Sequence, residues 1–240
     1  MDFTILAFVV LIFSLIQSIF GLGLLVFGTP TLMILGYSFQ ETLSFVLPAS
    51  IVISILQIKD SRRASKSFQK DFNIYCLPFV LIGVTSIIIS RESFDLSLMI
   101  GAVLIFSSAV NYYKRLGTFL TQVIKKNRGF YLILMGFIHG LTNMGGGLLA
   151  LFSSVIHDKD KEKTRSGVAY GYFLMGSIQY TLLLFFNPQL FKLKALALMI
   201  LSATTYLLLG KKLFLDTKQK VFQNAITGIT FAYGVVLIVK

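Results

Sequence analysis

Charged residues divide the chain into long apolar stretches. Asp, Glu, Lys and Arg are absent from eight segments: 3–40, 42–58, 72–90, 96–113, 129–157, 166–191, 195–210 and 221–239. A helix that crosses a bilayer needs about 20 apolar residues, because the hydrocarbon core is about 30 Å thick. A helix on the surface of a soluble protein would instead carry a charged face at the helical period. The pattern therefore predicts an all-α polytopic membrane protein with about seven to eight transmembrane helices.

Two of the stretches, 3–40 and 129–157, are too long for one span. A helix over most of the first would run about 50 Å at 1.5 Å per residue. Each contains a glycine cluster, Gly21–Gly23 in the first and Gly145–Gly147 in the second. Glycine is unfavourable in a helix interior and adopts non-helical angles freely. We therefore predict that each stretch is a glycine-broken helix or a re-entrant hairpin.

A shift of 122 residues relates the two halves of the chain as a weak internal repeat. It places Gly23 on Gly145 and Gln57 on Gln179. Identities are sparse, so the interpretation depends on the recurrence of a glycine break and of a polar Gln in the following helix. We predict an N-terminal repeat half (1–113), a basic cytoplasmic linker (114–128) and a C-terminal repeat half (129–240).

The distribution of positive charge tests the topology. The chain has 22 Lys and Arg against 10 Asp and Glu, a net charge of +12. If both long stretches cross the membrane once, 13 basic residues lie on one side and 9 on the other. If 129–157 enters and leaves on the same side, 18 lie on one side and 4 on the other. Short basic loops stay on the cytoplasmic side. This rule favours the hairpin and predicts a multi-pass protein of the cell inner (plasma) membrane, without a nucleic-acid partner.

The first long stretch can be a hairpin or a single broken span. If it is a hairpin, each half consists of a hairpin and three spans. That odd number makes the halves inverted repeats, in which broken helices meet at a site near the membrane midplane. Half-helices that begin at the glycines would direct free N–H groups and the positive end of the helix dipole towards this site, which suits a small anion.

The glycine segments resemble the signatures of the TauE/SafE sulfite-exporter family. Residues 136–149 (GFIHGLTNMGGGLL) are similar to its second-half signature, and residues 18–32 (SIFGLGLLVFGTPTL) to its first-half counterpart. The resemblance covers the whole chain in length, hydropathy and two-half organisation. It departs at Gly21–Gly23, where a triple glycine is common, and at Phe152, which takes the position of Pro30. The resemblance implies transport of sulfite, sulfonates or other sulfur-containing anions across the inner membrane, usually outward.

These observations predict a secondary transporter, an exporter of a small sulfur-containing or organic anion such as sulfite or a sulfonate. The apolar stretches hold no nucleophile–base pair or paired carboxylate, so we expect no enzyme and no cofactor. Two alternatives stay open: a non-transport membrane assembly factor and an uncoupled anion channel. The expected partners are the anion, the lipid bilayer and, as a candidate coupling ion, the proton. The oligomeric state is not predicted.

Polar residues inside the apolar stretches are the candidate site. His139 is the one ionisable side chain well within a stretch, so it either carries protons or substrate or forms an interhelical hydrogen bond. The same two roles, binding and helix pairing, apply to Gln57 and Gln179, which are costly in lipid unless paired. The predicted substrate-binding residues are Gly21, Gly23, Gln17, Gln57, His139, Thr142, Asn143, Gly145, Gly146, Gly147 and Gln179.

Two further candidates are Arg165, just before the stretch 166–191, and Tyr172 within it. Arg165 stands at the mouth of the helix predicted for this stretch, where it could attract anions. Tyr172 lies opposite Ser50 under the 122-residue shift, and both are candidates for lining a cavity.

Overall fold

The computed structural model describes residues 3–89, 96–216 and 230–239, and the regular elements in these ranges are helices. They are α1 (Phe3–Phe20), α2 (Leu24–Ile34), α3 (Phe39–Asp60), α4 (Lys66–Ile89), α5 (Leu96–Tyr112), α6 (Lys114–Lys126), α7 (Arg128–Thr142), α8 (Gly146–Ile156), α9 (Lys161–Phe186), α10 (Leu193–Phe214) and α11 (Thr230–Val239).

Five helices are long and apolar enough to cross a membrane: α1, α3, α4, α9 and α10. A sixth span results if α5 and α6, which are bent by 99° relative to each other, count as one. Three shorter apolar helices, α2, α8 and α11, accompany them. The all-helical prediction is confirmed within the described ranges. The number of seven to eight spans stays a prediction, because the broken stretches give helices that are too short to count as spans.

The outer surface is apolar and the interior is partly polar. Large apolar side chains are exposed on the outside, among them Phe8, Phe185 and Ile200, whereas Ser54 and Gln179 are buried. Polar side chains in a bilayer face the protein interior, where they can be paired. This distribution is that of a multi-pass membrane protein.

Ion pairs join several polar segments at one end of the molecule, called here the basic end. Arg62, just after α3, lies 3.3 Å from Glu162 in the first turn of α9, and Asp60 lies 3.2 Å from Lys211. The segments after α3 and before α9 therefore lie at the same end. This agrees with the topology in which 129–157 returns to the side from which it started.

The opposite end contains the start of α1, the start of α3 and the start of α10. Phe3, Glu41 and Lys194 line one depression there. The helix α3 begins at this end with a capping box, in which the Ser38 hydroxyl accepts from the Glu41 N–H and the Glu41 carboxylate accepts from the Ser38 N–H. Such a cap satisfies backbone donors that a helix start leaves free. The 22 residues of α3 then run to the basic end.

Most of the predicted linker is a helix. The segment 114–128 contains α6, whose apolar side includes the buried Ile124, while Lys125 and Lys126 are exposed. The 99° bend lays α6 across the end of α5.

Close contact between α4 and α7 joins the N-terminal half to the C-terminal half. A side chain at Gly140 would lie 2.5 Å from the Val80 carbonyl oxygen, and one at Gly83 would lie 2.8 Å from the Phe137 carbonyl oxygen. Small residues at such positions let two helix backbones approach each other inside a membrane. The α7 helix is thus fixed against a spanning helix before its chain reaches the glycine cluster.

Candidate functional site

The residues of 129–157 fold back on themselves as a hairpin, called here the second hairpin (Arg128–Ile156). The Tyr131 hydroxyl donates to the Leu148 carbonyl oxygen at 2.8 Å, and the Tyr131 ring stacks on Phe152 with 6.0 Å between centroids. In a straight helix, residues 131 and 152 would be about 30 Å apart. The chain reverses between α7 and α8, where Asn143 takes the left-handed conformation (φ 62°).

The first long stretch reverses in the same way and forms the first hairpin (Phe3–Ile34). The rings of Phe13 and Phe27 are 6.0 Å apart, although a straight helix would separate these residues by about 21 Å. Gly21 has φ 78°, which favours glycine because a Cβ would be strained there. The first residues of α2, Leu24–Gly28, form a π-helical turn.

The hairpins start from opposite ends of the molecule and overlap in its interior. The first begins at Phe3, at the opposite end, whereas the second begins at Arg128, which pairs with Asp71 at 3.4 Å on the basic side. They touch where the Asn143 side-chain amide donates to the Thr29 hydroxyl at 3.0 Å. The two glycine breaks therefore lie in one buried region.

His139 organises the tip of the second hairpin. Its Nδ1 accepts from the Gly145 N–H at 3.1 Å, so this nitrogen carries no proton. Its Nε2 is 3.2 Å from the Gln179 side-chain oxygen, to which it then donates. The Gln179 amide in turn donates to the His139 carbonyl oxygen at 3.4 Å. His139 is fully buried, and both of its ring nitrogens are used in holding the turn.

Gln17 has the corresponding role in the first hairpin. Its side-chain oxygen accepts from the Leu24 N–H at 3.2 Å, and its amide donates to the Ser50 hydroxyl at 2.8 Å. The Gln57 amide donates to the Gln17 carbonyl oxygen at 2.7 Å. The bond from the Gln57 amide to the carbonyl oxygen of residue 17 thus has a counterpart in the bond from the Gln179 amide to the carbonyl oxygen of residue 139. Both residues of the second pair follow those of the first by 122 positions.

The glycines of the tips make close contacts. A side chain at Gly23 would lie 2.5 Å from the Gln17 backbone nitrogen, and one at Gly145 would lie 2.7 Å from the His139 Cβ. The Thr142 hydroxyl accepts from the Met144 N–H at 3.1 Å and so helps to close the turn.

A cavity of about 240 Å³ lies beside the second hairpin, towards the basic end. Its polar lining comes mainly from α5, α8 and α9, and its apolar lining mainly from the first hairpin, α5 and the second hairpin. The polar lining includes Ser107, Asn111, Ser154, Lys161, Thr164 and Arg165, and the apolar lining includes Phe20, Leu22, Val26, Leu104, Met144 and Leu151. Lys161 and Arg165 are the only charged side chains that line it among the described residues, so its charged lining is positive.

Arg165 is buried and makes no ion pair within the described ranges. Its guanidinium donates to the Ser61 hydroxyl at 2.8 Å and to the Ser18 carbonyl oxygen at 3.4 Å, while Nε has no partner there. The guanidinium carbon also lies 3.4 Å from the centre of the Phe214 ring. The Asp60 and Glu162 carboxylates act on Arg165 electrostatically without reaching ion-pair distance, so its free donor is available to an anion.

The predicted site residues lie around this cavity rather than on its surface. Of the eleven, Gly147 is the one that lines it, and a side chain there would lie 3.3 Å from Ser107. The others lie behind the wall, eight in the hairpins themselves and two, Gln57 on α3 and Gln179 on α9, bound to them. The sequence marks Arg165 as an anion-attracting candidate. Lys161 belongs to the charged run 158–163, a pattern that is typical of a solvated loop.

The turn at the base of the second hairpin is held by His157. Its Nε2 accepts from the Ser65 N–H at 3.1 Å, which connects α8 to the segment before α4. Burial lowers the pKa of His157. The neutral ring that accepts this bond is therefore the favoured form at neutral pH.

The fold and the site together define a polytopic α-helical membrane protein in which two opposed, glycine-broken hairpins enclose a cationic cavity. The family model "Sulfite exporter TauE/SafE" matches residues 6–237. The chain therefore belongs to the TauE/SafE sulfite exporter family, a family of membrane transporters for sulfite and related sulfur-containing anions. No curated protein and no solved structure gives a significant match to the chain.

Proposed function

We propose that this protein is a secondary transporter that exports a small sulfur-containing or organic anion, such as sulfite or a sulfonate, from the cytoplasm. The observation that carries the proposal is the cavity whose charged lining, among the described residues, consists of Lys161 and Arg165. A buried guanidinium that no carboxylate reaches at ion-pair distance attracts an anion, because the surrounding dielectric is low. The membership in a family of sulfur-anion transporters agrees with this chemistry.

The arrangement of the hairpins suggests how the anion crosses. The cavity lies on the basic side, which the positive-inside rule assigns to the cytoplasm. The hairpins are related as inverted repeats in this proposal, so rocking of one half against the other would close the basic side and open the opposite one. The matching bonds of Gln17 and Gln57, and of His139 and Gln179, support a common origin of the two halves.

The proposal is tested by flux of sulfite and alkylsulfonates in proteoliposomes. Arg165→Gln should lower the flux at least tenfold, since loss of one charge-assisted contact costs on the order of 1.5–3 kcal/mol. Lys212→Gln is the matched control, because Lys212 is exposed and does not line the cavity. Both variants are first compared by thermal unfolding in detergent.

The result separates the candidate functions. Wild-type flux that is saturable and is lost in Arg165→Gln supports a carrier with this site. Unsaturable anion conductance would instead indicate a channel. A wild-type protein that carries none of these anions would overturn the proposal.

A further inference from the structure

A buried hydroxyl stands unpaired at the start of α8. Tyr172, on α9, is fully buried, and its hydroxyl has no hydrogen-bond partner among the described residues. Burying a polar group without a partner carries a desolvation penalty, so such groups are rare in native proteins and call for an explanation. The ring itself is held next to His139, with 6.2 Å between ring centroids.

The hydroxyl is directed at the first residue of α8. A side chain at Gly146 would overlap the Tyr172 hydroxyl, which shows how close the oxygen comes to this backbone. The α8 helix has 11 residues, and its N-cap, Gly145, provides no side-chain hydrogen bond. The first N–H groups of a helix have no partner within the helix and carry the positive end of its dipole.

A second unpaired atom lies beside this helix start. The side-chain oxygen of Asn143 has no partner among the described residues, although its amide nitrogen is bound to Thr29 of the first hairpin. Asn143 is fully buried as well. Two buried polar side chains therefore have unused hydrogen-bonding capacity at the point where the hairpins touch.

This point is separated from the Arg165 cavity by a thin wall. Gly147 and Val26 line the cavity, while the adjacent Gly146 faces Tyr172. A side chain at Gly146 would also lie 2.8 Å from a Val26 methyl group. A small movement of the first hairpin away from α8 would extend the cavity to the Tyr172 hydroxyl.

We propose that the Tyr172 hydroxyl and the first N–H groups of α8 form an inner binding station for one oxyanion group, a sulfonate, sulfite or carboxylate. The inference rests on the proposed function: the anion first binds at Arg165 and then passes to this station when the hairpins separate. The phenol and the backbone N–H groups donate to the anion oxygens. No protein charge is needed at the station, so the anion is not held too strongly to leave.

Tyr172→Phe tests the station. The substitution removes a hydroxyl without a partner, so the midpoint of thermal unfolding should be unchanged or higher. The maximal rate of ethanesulfonate flux in proteoliposomes should fall at least tenfold, whereas the affinity for ethanesulfonate at the Arg165 cavity should change less than threefold. A fall in rate without a fall in stability is not expected of a residue that only packs.

Tyr131→Phe is the matched control. Tyr131 is a buried tyrosine within the second hairpin, but its hydroxyl donates to Leu148. Its loss should therefore lower the unfolding midpoint and leave flux per folded protein within twofold. If Tyr172→Phe is too unstable to measure, Asn143→Asp replaces it, because a carboxylate at the station should repel the anion and stop flux.

Each result has one meaning. Wild-type rates in a folded Tyr172→Phe or Asn143→Asp protein overturn the inner station and leave the proposed function intact. A wild-type protein that neither binds nor carries the anion overturns both.

Discussion

The two hairpins share a scaffold and differ at the helix start that follows the turn. In the first hairpin the side chain of Gln17 binds the N–H of Leu24, the first residue of α2. In the second, His139 binds the N–H of Gly145, one residue before α8 begins. The first N–H groups of α8 are thus left without a side-chain cap. In the proposed mechanism, the first hairpin is therefore a wall and the second presents the binding end.

The residues after each turn strengthen this contrast. Leu24–Gly28 is a π-helical turn whose residues are all buried. In α8, Gly146 faces Tyr172 and Gly147 faces the cavity. A backbone without side chains can approach a small anion closely, which a row of buried apolar side chains cannot do.

The largest effect is expected from alanine at two glycines, Gly23 in the turn of the first hairpin and Gly147 at the cavity. Gly23→Ala should prevent folding or destabilise by about 3 kcal/mol or more, because the new Cβ would lie 2.5–2.6 Å from the backbone atoms Gln17 N and Phe13 O. Gly147→Ala should keep the fold, since its Cβ would meet only the Ser107 side chain, at 3.3 Å. The yield of monodisperse protein and the midpoint of thermal unfolding are measured for both variants. Equal losses in the two variants would contradict the distinction between wall and binding end.

A smaller effect is expected when the tip of the second hairpin is given the residue of the first. In His139→Gln, the new side chain can accept from Gly145 N–H and donate to Gln179, as Gln17 does for its own partners. We expect retained flux and a loss of about 1 kcal/mol of stability, compared with about 1–3 kcal/mol for His139→Ala, which leaves buried groups unpaired. Thermal unfolding and flux with and without a pH gradient test this. Loss of proton-driven flux in a well-folded His139→Gln would assign the coupling proton to His139 and contradict a purely structural role.

The hairpins could be predicted because their signals are local. Glycine clusters and runs without charge are visible along the chain, and the count of basic residues on each side needs no tertiary structure. The equivalence of Gln57 and Gln179 follows from the same spacing. The structure adds that the Gln57 amide binds Gln17 and the Gln179 amide binds His139.

The cavity could not be predicted, because it depends on side-chain directions set by packing between distant segments. Arg165 reaches Ser18, 147 residues away in the sequence, and lies on Phe214. The free hydroxyl of Tyr172 likewise becomes apparent only when its neighbours are known. The 99° bend between α5 and α6 falls at Tyr113, where neither glycine nor proline marks a break.

The most direct test compares two cysteines at positions related by the 122-residue shift, in a Cys76→Ser background. Ala150→Cys lies in the cavity wall of the second hairpin, whereas Gly28→Cys is buried in the first. An anionic methanethiosulfonate should modify Cys at 150 rapidly and Cys at 28 at least tenfold more slowly. Ethanesulfonate, which does not react with thiol reagents, should slow the reaction at 150 at least fivefold. Equal reactivity at both positions, or no protection at 150, would contradict the claim that the second hairpin carries the anion site.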